Sequence, residues 1–467
     1  MATSKLRNTH SFWYIVIISA AAGMAGLLYG YDTAVISGAI GFLQELYDLS
    51  PAMEGFVISS IMIGGIIGVA VSGYLSDAYG RKKILMVAAI LFAISAIGSA
   101  LASSVEMLIG ARIIGGIGIG LASALAVTYI TECAPAAIRG RLSSMYQLFT
   151  VIGISATFFV NLLVADSGTH EWGVETGWRW MLGYGVIPAL IFYLTLLFVP
   201  ESPRYLVQKG RDQEALQVLT NINGSEAAKV EMKAIKHSID TETNLSMRQL
   251  FKPGLRKALG VGIFLALFNQ VIGMNAITYY GPEIFRMVGF EDNTEFVATS
   301  MVGLMQVVAT VAAVILIDKA GRKKLMAIGS FFMALFMLLI GGVFFFDINS
   351  GPLLVIFIMG FTAAFCISMG PIPWIMIPEI FPNHLRARAV GLTTMFLWGA
   401  NWAIGQFTPM LLNGLGGAIT FWIFAAINVI CFIFVMTIIP ETKNKTLEEI
   451  EQFWKPKNQK VQVRKGA

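Results

Sequence analysis

A chain of 467 residues that is 56% hydrophobic and only 13% charged, with a mean hydropathy of +0.71, lacks the polar surface of a soluble globular protein. Its composition places it among polytopic membrane proteins, and a net charge of +5 then reports where basic residues sit along the chain, not nucleic-acid binding. Three isolated cysteines and four histidines without ligand spacing suggest neither a disulfide framework nor a metal site, and no cofactor is expected.

Apolar runs of roughly 20 residues, the length that crosses a bilayer as helix, fall near 12–36, 54–75, 84–103, 107–130, 142–164 and 180–199. A second set lies near 257–281, 297–317, 325–345, 353–377, 389–412 and 418–438. The first run has spanning length and no small-residue cleavage site, so it is expected to stay as a span. The prediction is an all-α membrane protein of twelve transmembrane helices in two six-helix halves. The expected divisions are 1–200, a small cytoplasmic helical linker at 201–256, a second bundle at 257–440 and a tail at 441–467. Within the linker, the segments starting at Asp212 and Glu231 read as short amphipathic helices.

The first run carries one acid, Asp32, in the stretch Gly26-Leu-Leu-Tyr-Gly-Tyr-Asp32. An ionised carboxylate is costly in hydrocarbon, so Asp32 is a functional candidate for coupling to a proton or to substrate. Glycines at 23, 26, 30 and 38 suit close helix packing around it. Arg112 is the matching base in the first-half spans. Pairing favours the charged carboxylate and desolvation opposes it, which suits proton exchange; a permanent structural bridge is the alternative.

The connections alternate in charge. Asp77-Ala-Tyr-Gly-Arg-Lys-Lys83, Arg139-Gly-Arg141, the 201–256 segment, Asp318-Lys-Ala-Gly-Arg-Lys-Lys324 and His384-Leu-Arg-Ala-Arg388 are basic, as are Lys5, Arg7 and the Lys455-to-Lys465 tail. The opposite loops carry Glu45, Asp48, Glu106, Glu171, Glu291 and Asp292, with Arg179 and Arg286 as exceptions. The positive-inside rule then puts both termini in the cytoplasm.

The chain also repeats itself. Asp77-x-x-Gly-Arg-Lys-Lys returns at Asp318, Glu132 with Arg139 returns as Glu379 with Arg386, and Pro200-Glu-Ser-Pro-Arg returns as Pro440-Glu-Thr-Lys. Matched spacing in one orientation implies two parallel repeats of six helices with a central site. Asp77, Arg81, Glu132, Arg139, Asp318, Arg322, Glu379 and Arg386 are read as a cytoplasmic latch between the halves, with Gly80 and Gly321 allowing tight turns. Glu201 and Arg204 join it, and Glu441 is the repeat of Glu201. Helix capping and topology signalling are the plainer alternative, at tenths of a kcal/mol each.

Polar side chains inside the spans suggest a hydroxylated ligand. Gln147, Asn269, Gln270, Asn275 and Asn401 are amides where an unpaired polar group is costly. Tyr29, Tyr279, Tyr280, Trp374 and Trp398 add aromatic faces. Interhelical hydrogen bonding is the alternative for each amide taken singly. The helix bearing Gln270 and Asn275 is expected to be irregular and to end at Gly281-Pro282. Gly370-Pro-Ile-Pro373 is expected to break its own helix and to serve as a moving gate. The glycine run 115–120 lacks the Gly-Lys-Ser/Thr ending of a phosphate loop. No ATP-binding domain and no catalytic constellation appear, so the driving force is a gradient and the chain is not an enzyme.

These motifs together resemble the sugar porter family of the major facilitator superfamily, over essentially the whole chain. The resemblance is carried by Arg112-Ile-Ile-Gly-Gly-Ile-Gly-Ile-Gly120, Tyr129-Ile-Thr-Glu132, Arg139-Gly140, Pro200-Glu-Ser-Pro-Arg204, Gln270-Val-Ile-Gly-Met-Asn275, Gly370-Pro-Ile-Pro-Trp374 and Pro440-Glu-Thr442. Within the family the likeness is to the arabinose–proton symporters of Gram-positive bacteria. The resemblance implies that Gln147, Gln270, Asn275, Trp374, Trp398 and Asn401 contact sugar, with Tyr29 and Gln306 at further contact positions. It also implies that an aspartate at position 32 accompanies proton symport. Two departures stand out: Asn269 where the family commonly has glutamine, and Cys366 where some facilitators have glutamate.

The expectation is a proton-coupled monosaccharide importer working by alternating access, with L-arabinose first, then xylose or galactose, then glucose. Its partners are a monosaccharide, a proton and the lipid bilayer, with no nucleic acid, and it works as a monomer in a bacterial plasma membrane. A facilitative uniporter is the first alternative, and a non-transporting sugar sensor the second.

Overall fold

The computed structural model describes residues 9–134, 139–240, 250–251, 255–291, 293–348, 350–381 and 385–443. They form helices and no strand. Two compact units emerge: Met1–Asp48 with Ser60–Thr243, and Leu49–Ser59 with Asn244–Ala467.

In the first unit the spanning helices are α1 (Thr9–Tyr47), α2 (Pro51–Tyr79, from Ser60 onward), α3 (Arg81–Ala100), α4 (Val105–Cys133) and α5 (Arg139–Asp166). The sixth crossing is assembled from α6 (His170–Trp172), a π-helical segment (Gly173–Gly177), α7 (Trp178–Gly183) and α8 (Val186–Leu197). It therefore starts about ten residues before the expected position 180. Arg179, an exception to the acidic loops, acts locally, its guanidinium donating to the carbonyls of Ala100 (2.9 Å) and Ala102 (2.7 Å) at the end of α3. Burying apolar surface cannot hold helices together in lipid, so close backbone approach has to. At Gly30 a Cβ would stand 2.0 Å from the Thr150 carbonyl oxygen, so only glycine lets α1 lie on α5.

The linker contains α9 (Pro203–Gln208), α10 (Asp212–Asn223) and α11 (Ser225–Asp240). Ser202 caps α9 through its hydroxyl, which accepts from the Tyr205 amide at 3.3 Å, and Pro203 takes the first turn where a missing N–H costs nothing.

In the second unit lie α12 (Leu255–Val271), α13 (Met274–Arg286), α14 (Thr294–Ala320), α15 (Arg322–Phe345), α16 (Gly351–Ile367), α17 (Ile372–Glu379) and α18 (Arg386–Thr437). The break in the seventh crossing falls at Gly273 (φ 108°), not at Gly281-Pro282; the chain kinks again at Tyr280 and stays helical to Arg286. The expected break before Trp374 is present, between α16 and α17. Among the described residues, eleven helices are long and apolar enough to cross a membrane, against twelve expected spans. The difference is α18, whose 52 residues include one non-helical position, Gly416 (φ 79°, ψ 167°). At 1.5 Å per residue a straight helix of that length would run to about 78 Å, more than twice a bilayer core, so the last two expected spans meet at Gly416.

Candidate functional site

The first unit holds the charge pair, with Arg112 buried and Asp32 half-buried. Arg112 is 1% exposed on α4, and its guanidinium acts electrostatically on the Asp32 carboxylate of α1. The buried Oδ2 of Asp32 accepts no hydrogen bond from the described residues. Gly115, one turn beyond Arg112, makes room for it: a Cβ there would stand 3.1 Å from Asp32 Oδ2 and 2.4 Å from Ser95 Oγ. Beside the carboxylate is a cavity of about 20 Å³, room for about one water. Tyr31, Ser95 and Ser99 are among its lining residues, and the Tyr31 hydroxyl donates to the Met181 carbonyl at 3.0 Å. Tyr29, three residues before Asp32 on α1, and Gln147 on α5 are partly exposed.

The second unit lines up the amides. Asn275 Nδ2 donates to Gln270 Oε1 (2.6 Å), and Gln270 Nε2 donates to Asn269 Oδ1 (2.6 Å). Asn269 Nδ2 in turn donates to the carbonyls of Met369 (2.6 Å) and Gly370 (3.2 Å). The break at Gly273 allows the Gln270–Asn275 bond, because it turns two residues five apart toward each other. One turn after Asn275, the Tyr279 hydroxyl donates to Asn401 Oδ1 of α18 at 2.7 Å, while the Tyr280 hydroxyl donates to the Gly405 carbonyl at 2.8 Å. Both tyrosines are fully buried, so they hold α13 to α18 instead of offering open aromatic faces. Asn401 Nδ2 and Gln306 Nε2 are buried donors without an acceptor among the described residues, the condition in which a hydroxylated ligand gains most.

The aromatic expectations divide. Trp398 is 3% exposed and buried against the helices, whereas Trp374 is 44% exposed beside a cavity it shares with Thr393, Thr394 and Leu397. Among the described residues, no bond joins Trp374 or Gln306 to the amide row. Buried polar groups beyond the expected set are also present. Asn428 on α18 donates to the Ile272 carbonyl (2.9 Å) at the edge of the Gly273 break, and Glu295 on α14 pairs with Arg286 at 2.8 Å. Glu54 is 4% exposed in the first turn of α2. An isolated amide or acid in an apolar run was the available signal for Asn428 and Glu54.

The charges at the helix ends are matched across the repeat. Arg81 meets Asp77 at 3.2 Å and Glu132 at 3.1 Å, and the Ser202 hydroxyl donates to the same Glu132. In the second unit Arg322 lies 3.6 Å from Glu379, and the Thr442 hydroxyl donates to Glu379 at 3.0 Å. Glu201 accepts from the amide of Lys82 (3.1 Å) at the start of α3, and Glu441 from those of Arg322 and Lys323 (both 3.1 Å) at the start of α15. These carboxylates satisfy amide donors that a helix start leaves open. Each of these contacts is made within its own unit. Gly80 (φ 101°) and Gly321 (φ 92°) make the turns ahead of the two helices. Arg204 is partly exposed on α9. The side chains of Arg139, Asp318 and Arg386 lie outside the described residues, as do Lys5, Arg7, Asp292, His384 and the Lys455-to-Lys465 tail.

Residues 18–454 match the family model described as "Sugar (and other) transporter". The chain is 67% identical over 447 residues to the arabinose-proton symporter of Bacillus subtilis strain 168, covering 96% of each. It is 37% identical over 482 residues to the D-xylose-proton symporter of Escherichia coli strain K12, covering 96% of this chain and 97% of that one. A solved structure of the xylose transporter XylE from E. coli, in an inward open conformation, matches with a TM-score of 0.84 at 36% identity, over 94% of this chain and 100% of that chain. With a helical architecture, two units, an acid–base pair and a row of hydrogen-bonded amides in place, the chain belongs to the sugar transporter family of the major facilitator superfamily: it is a multi-pass membrane transporter, not an enzyme.

Proposed function

We propose that this chain is a proton-coupled monosaccharide symporter, importing L-arabinose in preference to xylose or galactose, and those in preference to glucose. The observation that carries the coupling is the Asp32 carboxylate, its Oδ2 buried without a hydrogen bond from the described residues, set beside Arg112 and a water-sized cavity in the first unit. A proton on Asp32 releases its hold on Arg112, and loss of the proton restores it; that exchange is the chemistry a coupled cycle needs. The relatives' names, arabinose-proton and D-xylose-proton symporter, support the same reading.

Sugar is held by Gln270, Asn275, Gln306 and Asn401 from the second unit and by Gln147 and Tyr29 from the first, with Trp374 and Trp398 as aromatic walls. The chain divides at residues 200, 256 and 440 into bundle, linker, bundle and tail. It functions as a monomer in a bacterial plasma membrane with both termini cytoplasmic, and its duplicated charge clusters part and re-form as access alternates.

Purified protein in proteoliposomes, given labelled L-arabinose with and without an imposed pH gradient, tests the proposal. Wild type concentrates sugar when the gradient is imposed. Asp32→Asn equilibrates sugar to an internal ratio of about one, because a group that cannot gain or lose a proton cannot draw on the gradient. Equal accumulation by the two proteins would remove Asp32 from the coupling step.

A further inference from the structure

In an α-helix each carbonyl accepts from the amide four residues on. Four residues after Met369 stands Pro373, which has no N–H, so the Met369 carbonyl has no helical donor. Around it the chain has left the helix: Ser368 takes φ −124°, ψ −89°, and the Gly370 amide reaches back to Phe365 at 2.8 Å. A carbonyl stranded inside a membrane span needs another donor.

Asn269 supplies it. This side chain is 5% exposed, and its Nδ2 reaches Met369 O at 2.6 Å and Gly370 O at 3.2 Å. An amide has two N–H donors and one carbonyl oxygen. Both donors of Asn269 face backbone carbonyls and the oxygen accepts from Gln270, so no donor is left for a sugar hydroxyl. Gln270 and Asn275 keep spare capacity, since one N–H of Gln270 and the oxygen of Asn275 carry no bond among the described residues. A glutamine at 269 would carry its amide one methylene further and overshoot these carbonyls. The shorter residue fits the gap.

We propose that Asn269 is a positioning residue and not a sugar ligand: it replaces the donor that Pro373 removes, and it ties the α16–α17 joint to the amides that receive the sugar. Force applied at Gln270 and Asn275 by a bound sugar then reaches the joint through one row of hydrogen bonds. The link to transport rests on the monosaccharide reading above; the strut itself does not.

The test uses the full chain in nanodiscs. Hydrogen exchange is followed, without sugar, at the amides of residues 368–376. In Asn269→Leu these exchange about tenfold faster, the ratio expected for loss of one buried bond to a carbonyl. Adding Pro373→Ala restores the missing N–H and brings protection back. Asn269→Asp keeps the acceptor for Gln270 and drops the donors, so it repeats the loss at the joint should the leucine variant fail to fold. A second arm titrates L-arabinose and its deoxy analogues and measures counterflow at saturating sugar. Asn269→Leu keeps the wild-type ranking of the analogues while counterflow slows. Unchanged exchange at the joint in the variants overturns the proposal, and so does loss of discrimination at a single sugar hydroxyl. Should wild type bind no L-arabinose, the monosaccharide reading falls while the exchange arm still decides the strut.

Discussion

At the scale of single residues, what matters is whether a polar group in hydrocarbon has somewhere to spend its hydrogen bonds. Arg81 is 5% exposed and divides its guanidinium between Asp77 and Glu132. Its counterpart Arg322 is more accessible and stands further from its acid, Glu379. Matched sequence positions should therefore respond unequally. Glu132→Gln leaves the buried Arg81 with the exposed Asp77 as its charged partner and is expected to cost about 2 kcal/mol, and Glu379→Gln about 1 kcal/mol or less, read by thermal unfolding in detergent. Identity and approximate depth of the polar residues were legible in the sequence, as Asp32, Arg112, Gln270 and Asn275 demonstrate. Their bonding was not. Asn269 reads as one more sugar amide until the chain folds back and brings Met369 beside it, and Tyr279 and Tyr280 read as aromatic faces until α18 covers them. Hydropathy fixes depth, but the partner of a buried group comes from a distant part of the chain.

At the scale of elements, helices pack here by letting backbones touch. A side chain at position 30 would collide with the Thr150 carbonyl on α5, so Gly30→Val is expected to abolish recovery of folded protein. Gly73, with nothing within 4 Å of its would-be Cβ, should accept alanine with unchanged yield. Size-exclusion profiles of the two variants, expressed side by side, make the comparison. Periodicity and length located nearly every crossing, because a bilayer sets the length of an apolar run. The interruptions were harder. The Gly370-Pro-Ile-Pro break was legible because proline removes donors wherever it sits. The Gly273 break was not, because glycines are common in these spans and only the positive φ marks this one. Likewise Gly416 alone separates two crossings that hydropathy had set apart at 412 and 418.

At the scale of the whole molecule, the duplication seen as repeated motifs reappears as repeated geometry: two carboxylates, Glu201 and Glu441, receive the opening amides of α3 and α15 in the same way. Where the repeats differ, they differ in their helix breaks and in where the intramembrane charges sit. The proline-stranded carbonyl and the left-handed glycine break, each answered by a buried asparagine, Asn269 or Asn428, both lie in the second unit. Asp32, with its buried Oδ2, and its arginine lie in the first. With most of the proposed sugar-holding amides in the second unit and the proposed coupling acid in the first, sugar ranking is expected to follow the second unit. A chimera carrying the part of the E. coli D-xylose-proton symporter that aligns with residues 1–243 ahead of residues 244–467 of this chain, which hold all of the second unit but Leu49–Ser59, should rank sugars in competition uptake as this chain does. A swap in the other direction should carry the xylose preference with the second unit, leaving a natural lineage free to change its diet without rebuilding its engine.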